Sequence, residues 1–330
     1  MQIDLRTVTI KPLRQTFDHV AAKIGGDKPA TRYQEGTIGL QAENNFHYRP
    51  LWAPEYEIFD KRRTDLKMKD WYAFKDPRQF YYGSYTINRA RMQEAAAAEF
   101  EFAEERDLGR SYPAAAKRRA IDVLLPLRHV AWGSNMNNSF CAAYGYGTAI
   151  TQPCLYQAMD QLGIAQYLTR IGLLLDQPEV LDTAKQAWME SADWQPLRHA
   201  VEDMLVTQDW FELFMAQNFV LDGLLFPLIY QRVADSLAAE AGLVLSMLTR
   251  FQVDWYAETS KWVDASVKTA VAESSDNQAL VSDWTRQWLE RSRAALAPVA
   301  KLGLGAGSEA ALSEVLTQFK ARAARLGVTI

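Results

Sequence analysis

The sequence predicts an all-α fold, and three observations carry that reading. The stretch 243–268 runs 26 residues without Pro or Gly, which as a helix would extend about 39 Å. Within it Val244, Leu248, Phe251, Trp255, Thr259 and Trp262 recur at steps of three and four, drawing one apolar seam along one helix face. Nowhere do strand patterns alternate with helical ones, and no repeat of about 20 to 50 residues is present, which sets aside βαβ and solenoid architectures.

Residues 1–84 read as an extended arm. Pro12, Pro29, Pro50, Pro54 and Pro77, with Gly25, Gly26, Gly36, Gly39 and Gly83, interrupt any long period. Positions 46–85 hold 12 of the chain's 38 aromatic residues, among them Phe46, Tyr48, Trp52, Trp71, Phe74 and Tyr81. An extended segment cannot bury that much ring surface on itself, so these rings lie either on the chain's own bundle or on another chain.

Positions 85–298 read as a helical core, followed by a connector and last helix over 299–330. The tract 86–108 is rich in Ala, Glu and Arg, strong helix formers, and Gly109 can stop it. Next comes 114–140 after Pro113, with Pro126 and Gly133 as kink points. A helix over 152–175 carries Pro153 in its first turn, a favoured place. A shorter one, 181–194, ends at Pro196, and 197–241 is a long tract bent at Gly223 and Pro227. Gly242 separates that tract from 243–268. The tract 276–297 aligns Leu280, Trp284, Trp288 and Leu289, and Ser308 caps a helix to Leu326 that Gly327 closes. The glycines 303, 305 and 307 follow a helix and lack the Lys-Ser/Thr of a phosphate loop, so they read as a flexible connector. Two long-helix pairs, 114–175 and 197–268, match a ferritin-like bundle in a single domain, 1–330.

Composition narrows the function. Hydrophobic residues make up 48% of the chain, ample for a large core, and 36 basic against 40 acidic residues leave a net charge of −4. With its basic residues dispersed, the chain lacks the basic face that nucleic acid or an anionic membrane would select. The run Lys61-Arg62-Arg63, followed by Lys67 and Lys69, reads as a solvated loop face. Cys141 and Cys154 form no CxxC and read as small buried thiols of a reducing cytoplasm. The N-terminal residues are charged throughout and lack a signal-peptide core. The most apolar span, 219–230, is only 12 residues long and holds Asp222 and Pro227, whereas a membrane crossing takes about 20. A cytoplasmic protein is expected.

Asp254 and Glu258 sit one turn apart beside the apolar seam and suggest a metal site between packed helices. A di-iron carboxylate bundle takes a Glu from each of two helices and Glu-x-x-His from each of two more. The spacing matters because a carboxylate and an imidazole three residues apart project the same way. Three positions before His19, His47, His129 and His199 stand Thr16, Asn44, Pro126 and Pro196, so no Glu-x-x-His exists. His199-Ala-Val-Glu202 is reversed and reads as a solvated helix start. Gly-x-Ser-x-Gly, P-loop and His-Glu-x-x-His motifs are likewise missing. No catalytic, cofactor-binding or metal residue is therefore assigned.

From MQIDLRTVTIKPLRQTFDHV through NNFHYRPLWAPEYEIFDKRR to the tryptophan-rich later helices, the chain resembles the β subunit of the hydroxylase of bacterial multicomponent monooxygenases. It is most similar to that of phenol hydroxylase, with toluene and soluble methane monooxygenases as relatives. In that family the catalytic α subunit carries two Asp-Glu-x-x-His-type motifs. They fall on Asp160-Gln161-Leu162-Gly163-Ile164 and Asp254-Trp255-Tyr256-Ala257-Glu258 of this sequence. The leading Asp survives in both; Gln161 and Trp255 replace the Glu ligands, and Ile164 and Glu258 the His ligands. The resemblance implies a non-catalytic subunit with no cofactor of its own, beside an α subunit holding a di-iron centre. It further implies an (αβγ)₂ hydroxylase, served by a reductase and a regulatory protein, that hydroxylates phenol with O₂ and electrons from NADH. Asp160, Asp254 and Glu258 should then be satisfied by hydrogen bonds or by Arg and Lys partners. Two other readings stay open: an independent ferritin-like metalloenzyme, and a helical protein that stacks an aromatic ligand on Trp255 and Trp262.

Overall fold

A computed structural model describes residues 13–43 and 48–330; Phe46, His47 and the first twelve residues lie outside the described residues. Among these residues there are helices and no strand. The long helices are α1 (Tyr82–Glu105), α2 (Ala114–Leu124), α3 (Leu127–Tyr144), α4 (Thr148–Leu175), α5 (Val180–Glu190) and α6 (Gln195–Leu205). They continue as α7 (Trp210–Ala241), the short α8 (Val244–Leu248), α9 (Arg250–Glu273), α10 (Ser275–Leu304) and α11 (Ser308–Arg325). The all-α reading and the paired long helices hold.

Helix α3 doubles back on α4 in the most extensive helix contact of the molecule. Their turn requires glycine. Gly147 has φ +88°, and a Cβ on Gly145 would come within 2.4 Å of the Cys141 carbonyl oxygen. Helix α7 passes through the middle, against α3, α9, α10 and α11. By length and composition α7 is long and apolar enough to cross a membrane, which the 12-residue estimate missed, yet 94% of its most apolar window is buried inside the chain. It is the core helix of the bundle. One apolar core joins residues from Leu66 to Val328.

Several boundaries differ from the sequence expectation, each for a local reason. The first long helix begins at Tyr82, after the short helices Asp18–Ile24 and Arg32–Glu35 of the arm, and Pro126 splits 114–140 into α2 and α3. Gly133 does not kink α3; a Cβ there would lie 2.5 Å from Val201 Cγ1, so the glycine lets α3 and α6 close on each other. Helix α4 starts before Pro153, which sits inside it. Helix α5 stops at Glu190, and Pro196 opens α6. The 197–241 tract breaks not at Gly223 or Pro227 but before Asp209, whose carboxylate accepts from the Phe211 and Glu212 amides and caps α7. Irregularity in α7 takes the form of two π segments, Met215–Leu221 and Leu228–Val233.

The 243–268 tract is also two helices. It breaks at Thr249 (φ −101°, ψ 6°), whose hydroxyl donates to the Leu245 carbonyl at 2.8 Å, a local bond that competes with the helix ladder. Ser274, accepting from the Asn277 amide, starts α10. The glycine-rich connector shrinks to the short turn Gly305–Gly307, and Ser308 provides no side-chain cap for α11.

The arm divides between the two alternatives for its rings. Trp71, Phe74 and Phe80 are buried in this chain's own interior, whereas Tyr48, Trp52 and Tyr82 remain exposed. Arg63 corrects the picture of a solvated basic run. Its guanidinium is buried among the rings of Trp52, Tyr56 and Tyr144 and donates to the Glu57 and Tyr56 carbonyls at 2.7 and 2.9 Å. Arg62 and Lys61 stay exposed.

Candidate functional site

Among the described residues, two regions of the interior gather polar side chains into networks. The first is a charged knot between α1, α4 and α9. One oxygen of Asp160 accepts from the Tyr85 hydroxyl and from Arg89 Nε, each at 2.8 Å. The other accepts from Trp255 Nε1, also at 2.8 Å. Arg89 Nη2 donates onward to Glu258 at 2.8 Å, and Asn88 donates to its second oxygen at 2.6 Å. Arg78, itself chelating Asp76, approaches Glu258 at 3.7 Å. Burial works against the Arg89 charge, but Asp160 and Glu258 outweigh it and hold its pKa above the usual range. Burial, then the Asp160 charge, raises the Tyr85 phenol. Every carboxylate oxygen in the knot is thus committed to a donor.

Asp254 and Glu258, one turn apart, do not act together. Glu258 turns inward to Arg89, while Asp254 stays exposed, 3.4 Å from Arg250 on its own helix. Of the residues aligned by sequence, Asp160, Gln161, Ile164 and Trp255 are buried together with the core. Trp255 packs on Phe226 and Trp262 on Phe214. Both indoles are fully enclosed, which leaves neither face open for a stacked ligand.

The second polar region was not expected from the sequence. It is a ladder of amides spanning α3, α4, α7 and α9. Asn138 and Asn218 exchange hydrogen bonds at 3.0 and 2.8 Å, and Asn137 donates to Gln217 at 2.9 Å. Gln157 donates to Asn218 at 3.3 Å and accepts from the Thr259 hydroxyl at 2.7 Å. Gln217 then donates to Asp222 at 2.9 Å. Residues five apart diverge by about 140° around a regular α-helix. The π turn over Met215–Leu221 widens the spiral and turns Gln217 and Asp222 to one side. Burial pushes the Asp222 carboxyl up to about 7, against the pull of the Gln217 amide and Arg322. A sequence signal existed: the paired amides Asn137-Asn138 and Gln217-Asn218 fall at interior positions of helical tracts.

Among the described residues the side chains brought together do not fit a dinuclear metal centre. Among the described residues no group of three His, Cys, Asp or Glu converges. His129 stacks on Trp188, and burial lowers its pKa to about 4. His19 and His199 are exposed, as is Glu202. Cys141 and Cys154 are free and buried; burial and the neighbouring Cys154 raise the Cys141 thiol.

The outside of the α3–α4 hairpin is unusual in another way. Between positions 129 and 169 the only Asp, Glu, Lys or Arg is Asp160, and it is buried. The exposed side chains there include Trp132, Met136, Leu155, Met159 and Leu162. Trp52 of the arm extends this surface, resting on Phe140 and Tyr144.

The family model of the methane/phenol/alkene hydroxylases matches residues 52–274. The chain is 47% identical over 330 residues to the phenol 2-monooxygenase oxygenase component DmpL of Pseudomonas sp. strain CF600, covering 99% of this chain and 98% of that one. Over 245 residues it is 24% identical to the hydroxylase component subunit beta of the toluene-4-monooxygenase system of Ectopseudomonas mendocina, covering 72% of each. Its fold superposes on the crystal structure of xenon-pressurized phenol hydroxylase from Pseudomonas sp. OX1 with a TM-score of 0.92 at 41% identity, covering 98% of both chains.

Proposed function

Because the chain belongs to the methane/phenol/alkene hydroxylase family, we propose that it is the non-catalytic β subunit of a cytoplasmic phenol-oxidising hydroxylase. In this reading it is one folded unit that packs against an iron-bearing α subunit, with γ, in an (αβγ)₂ assembly. A regulatory protein and a reductase drawing on NADH act on that assembly. Phenol is oxidised in the α subunit, whose shape this chain supports.

The observation that carries the reading is the filled interior. Where the ligands of a metal pair would project, Ile164 and Trp255 supply apolar volume, and Asp160 and Glu258 are locked onto Arg89. Stripping such a carboxylate from its guanidinium to serve a cation would leave a buried charge unpaired, a cost of roughly 3–5 kcal/mol. The uncharged α3–α4 surface supports the packing role, since surfaces depleted of charge and rich in Trp and Met are typical of interface centres.

Co-expression with the α and γ chains, followed by sizing and metal analysis, tests this. The account expects one large complex with iron accompanying α, and a chain that aggregates and binds no iron when produced alone. A well-behaved monomer carrying about two irons per chain would overturn it in favour of an independent metalloenzyme.

A further inference from the structure

We propose that the bundle interior holds a site for a single water molecule, bound between the side chains of Gln161 on α4, Asp222 on α7 and Ser134 on α3. Three observations meet there. Gln161 Nε2 and Asp222 Oδ2 are both buried without a hydrogen-bond partner. Both residues line one small cavity together with Ser134, and Ile164, Phe226 and Tyr230 close its walls. The cavity measures about 10 Å³, close to the space that one water needs.

The chemistry of the lining selects water over other occupants. Gln161 presents an N–H donor and Asp222 an oxygen, so the guest must accept from one side and bond an oxygen on the other. A bare cation fails the first requirement, because an amide N–H offers it no lone pair. A hydrated ion is too large for the volume. An apolar guest would leave both groups unsatisfied, at roughly 1–3 kcal/mol each. Water accepts from Gln161 Nε2, donates to Asp222 Oδ2 when the carboxyl is ionised, and has the Ser134 hydroxyl as a third partner. Three bonds are what buried waters typically make. The guest would complete the amide ladder, because Asp222 is the residue on which the ladder ends at Gln217. The site uses only this chain's residues and stands independently of any partner or of the metal content of the complex.

The test is a density map of the assembled complex at a resolution that shows ordered water, for the wild type and for Gln161→Leu and Asp222→Asn. The wild-type map should show one isolated peak at hydrogen-bonding distance, about 2.7–3.2 Å, from both Gln161 Nε2 and Asp222 Oδ2. Gln161→Leu removes the donor and leaves an apolar wall in its place, so the peak should vanish. Asp222→Asn keeps an oxygen and a donor at the same place, so the peak should persist. A wild-type map with Gln161 in direct contact with Asp222 and no peak between them would overturn the proposal. So would a peak with an anomalous signal, and so would a peak unchanged in Gln161→Leu. The wild-type map decides even if a variant fails to fold.

Discussion

The outer faces of the α3–α4 hairpin and of α10 are both long helical surfaces, composed in opposite ways. On α10, Asp276, Asp283, Arg286, Glu290, Arg291, Arg293 and Lys301 point to solvent, and several pair along the helix, as Arg293 does with Glu290 at 2.6 Å. On the hairpin, the exposed residues include Trp132, Met136 and Met159, with no charged side chain among them. A helix that ends in water gains nothing from such a face and risks aggregation. The contrast separates a surface composed for solvent from one whose composition fits the proposed subunit contact. The interior shows a comparable division: Arg89 neutralises Asp160 and Glu258 in one region, and in another Asn137, Asn138, Gln217 and Asn218 bond one another.

The hairpin should be the easier of the two faces to break. Leu155→Asp combined with Met159→Asp would place two charges in a buried contact. Sizing of the co-expressed chains should show dissociation, with binding weakened at least about 100-fold, or roughly 3 kcal/mol. Gln287→Glu on α10 is the control and should shift assembly by less than about 0.5 kcal/mol. Equal effects at both sites would remove the distinction. In the interior, Arg89→Ala should lower unfolding stability by roughly 3–5 kcal/mol, read by denaturant titration, because it strands Asp160 and Glu258.

Asp222 should respond to pH in the reverse sense to most aspartates. Its folded pKa, about 7, lies above the ordinary aspartate value of 3.8, so the folded state holds the proton more tightly than the unfolded chain. The stabilisation is fully present below about pH 4 and is lost as pH rises to about 7. Set against Asp222→Asn, the wild type should therefore lose stability across that window, by at most about 4 kcal/mol. Arg322 opposes the shift, and Tyr230 and Tyr256 share its buried surroundings. A difference between the two proteins that stays flat from pH 4 to 8 would contradict this. The smallest effect belongs to Asp254→Ala, whose exposed pairing with Arg250 should be worth under about 0.5 kcal/mol by the same titration.

Much of the architecture was legible because apolar periodicity survives wherever a helix has one buried face. Breaks were harder to read. Thr249 is no helix breaker by type; its back-bond to Leu245 depends on a side-chain rotamer. Asp209 did leave a trace, since an Asp before a run of aromatics is a good helix cap. The histidine spacing excludes a Glu-x-x-His motif from the sequence itself. The amide ladder left only a partial trace, in Asn137-Asn138 and Gln217-Asn218, because a pairing such as Asn137 with Gln217 joins residues far apart in sequence, and a π turn alters the helical spacing that pattern reading assumes. The hairpin face carried a signal at the level of composition: charges drop out between 129 and 169. That signal becomes an exposed apolar face only once Leu155 and Met159 are seen outside and Asp160 inside.

The central claim is that iron belongs to the neighbour and not to this bundle. Anomalous diffraction at the iron edge from crystals of the whole complex tests it directly. The account predicts paired peaks within the α subunit and none among Asp160, Glu258 and Asp222. A peak coordinated by any of those three carboxylates would contradict it.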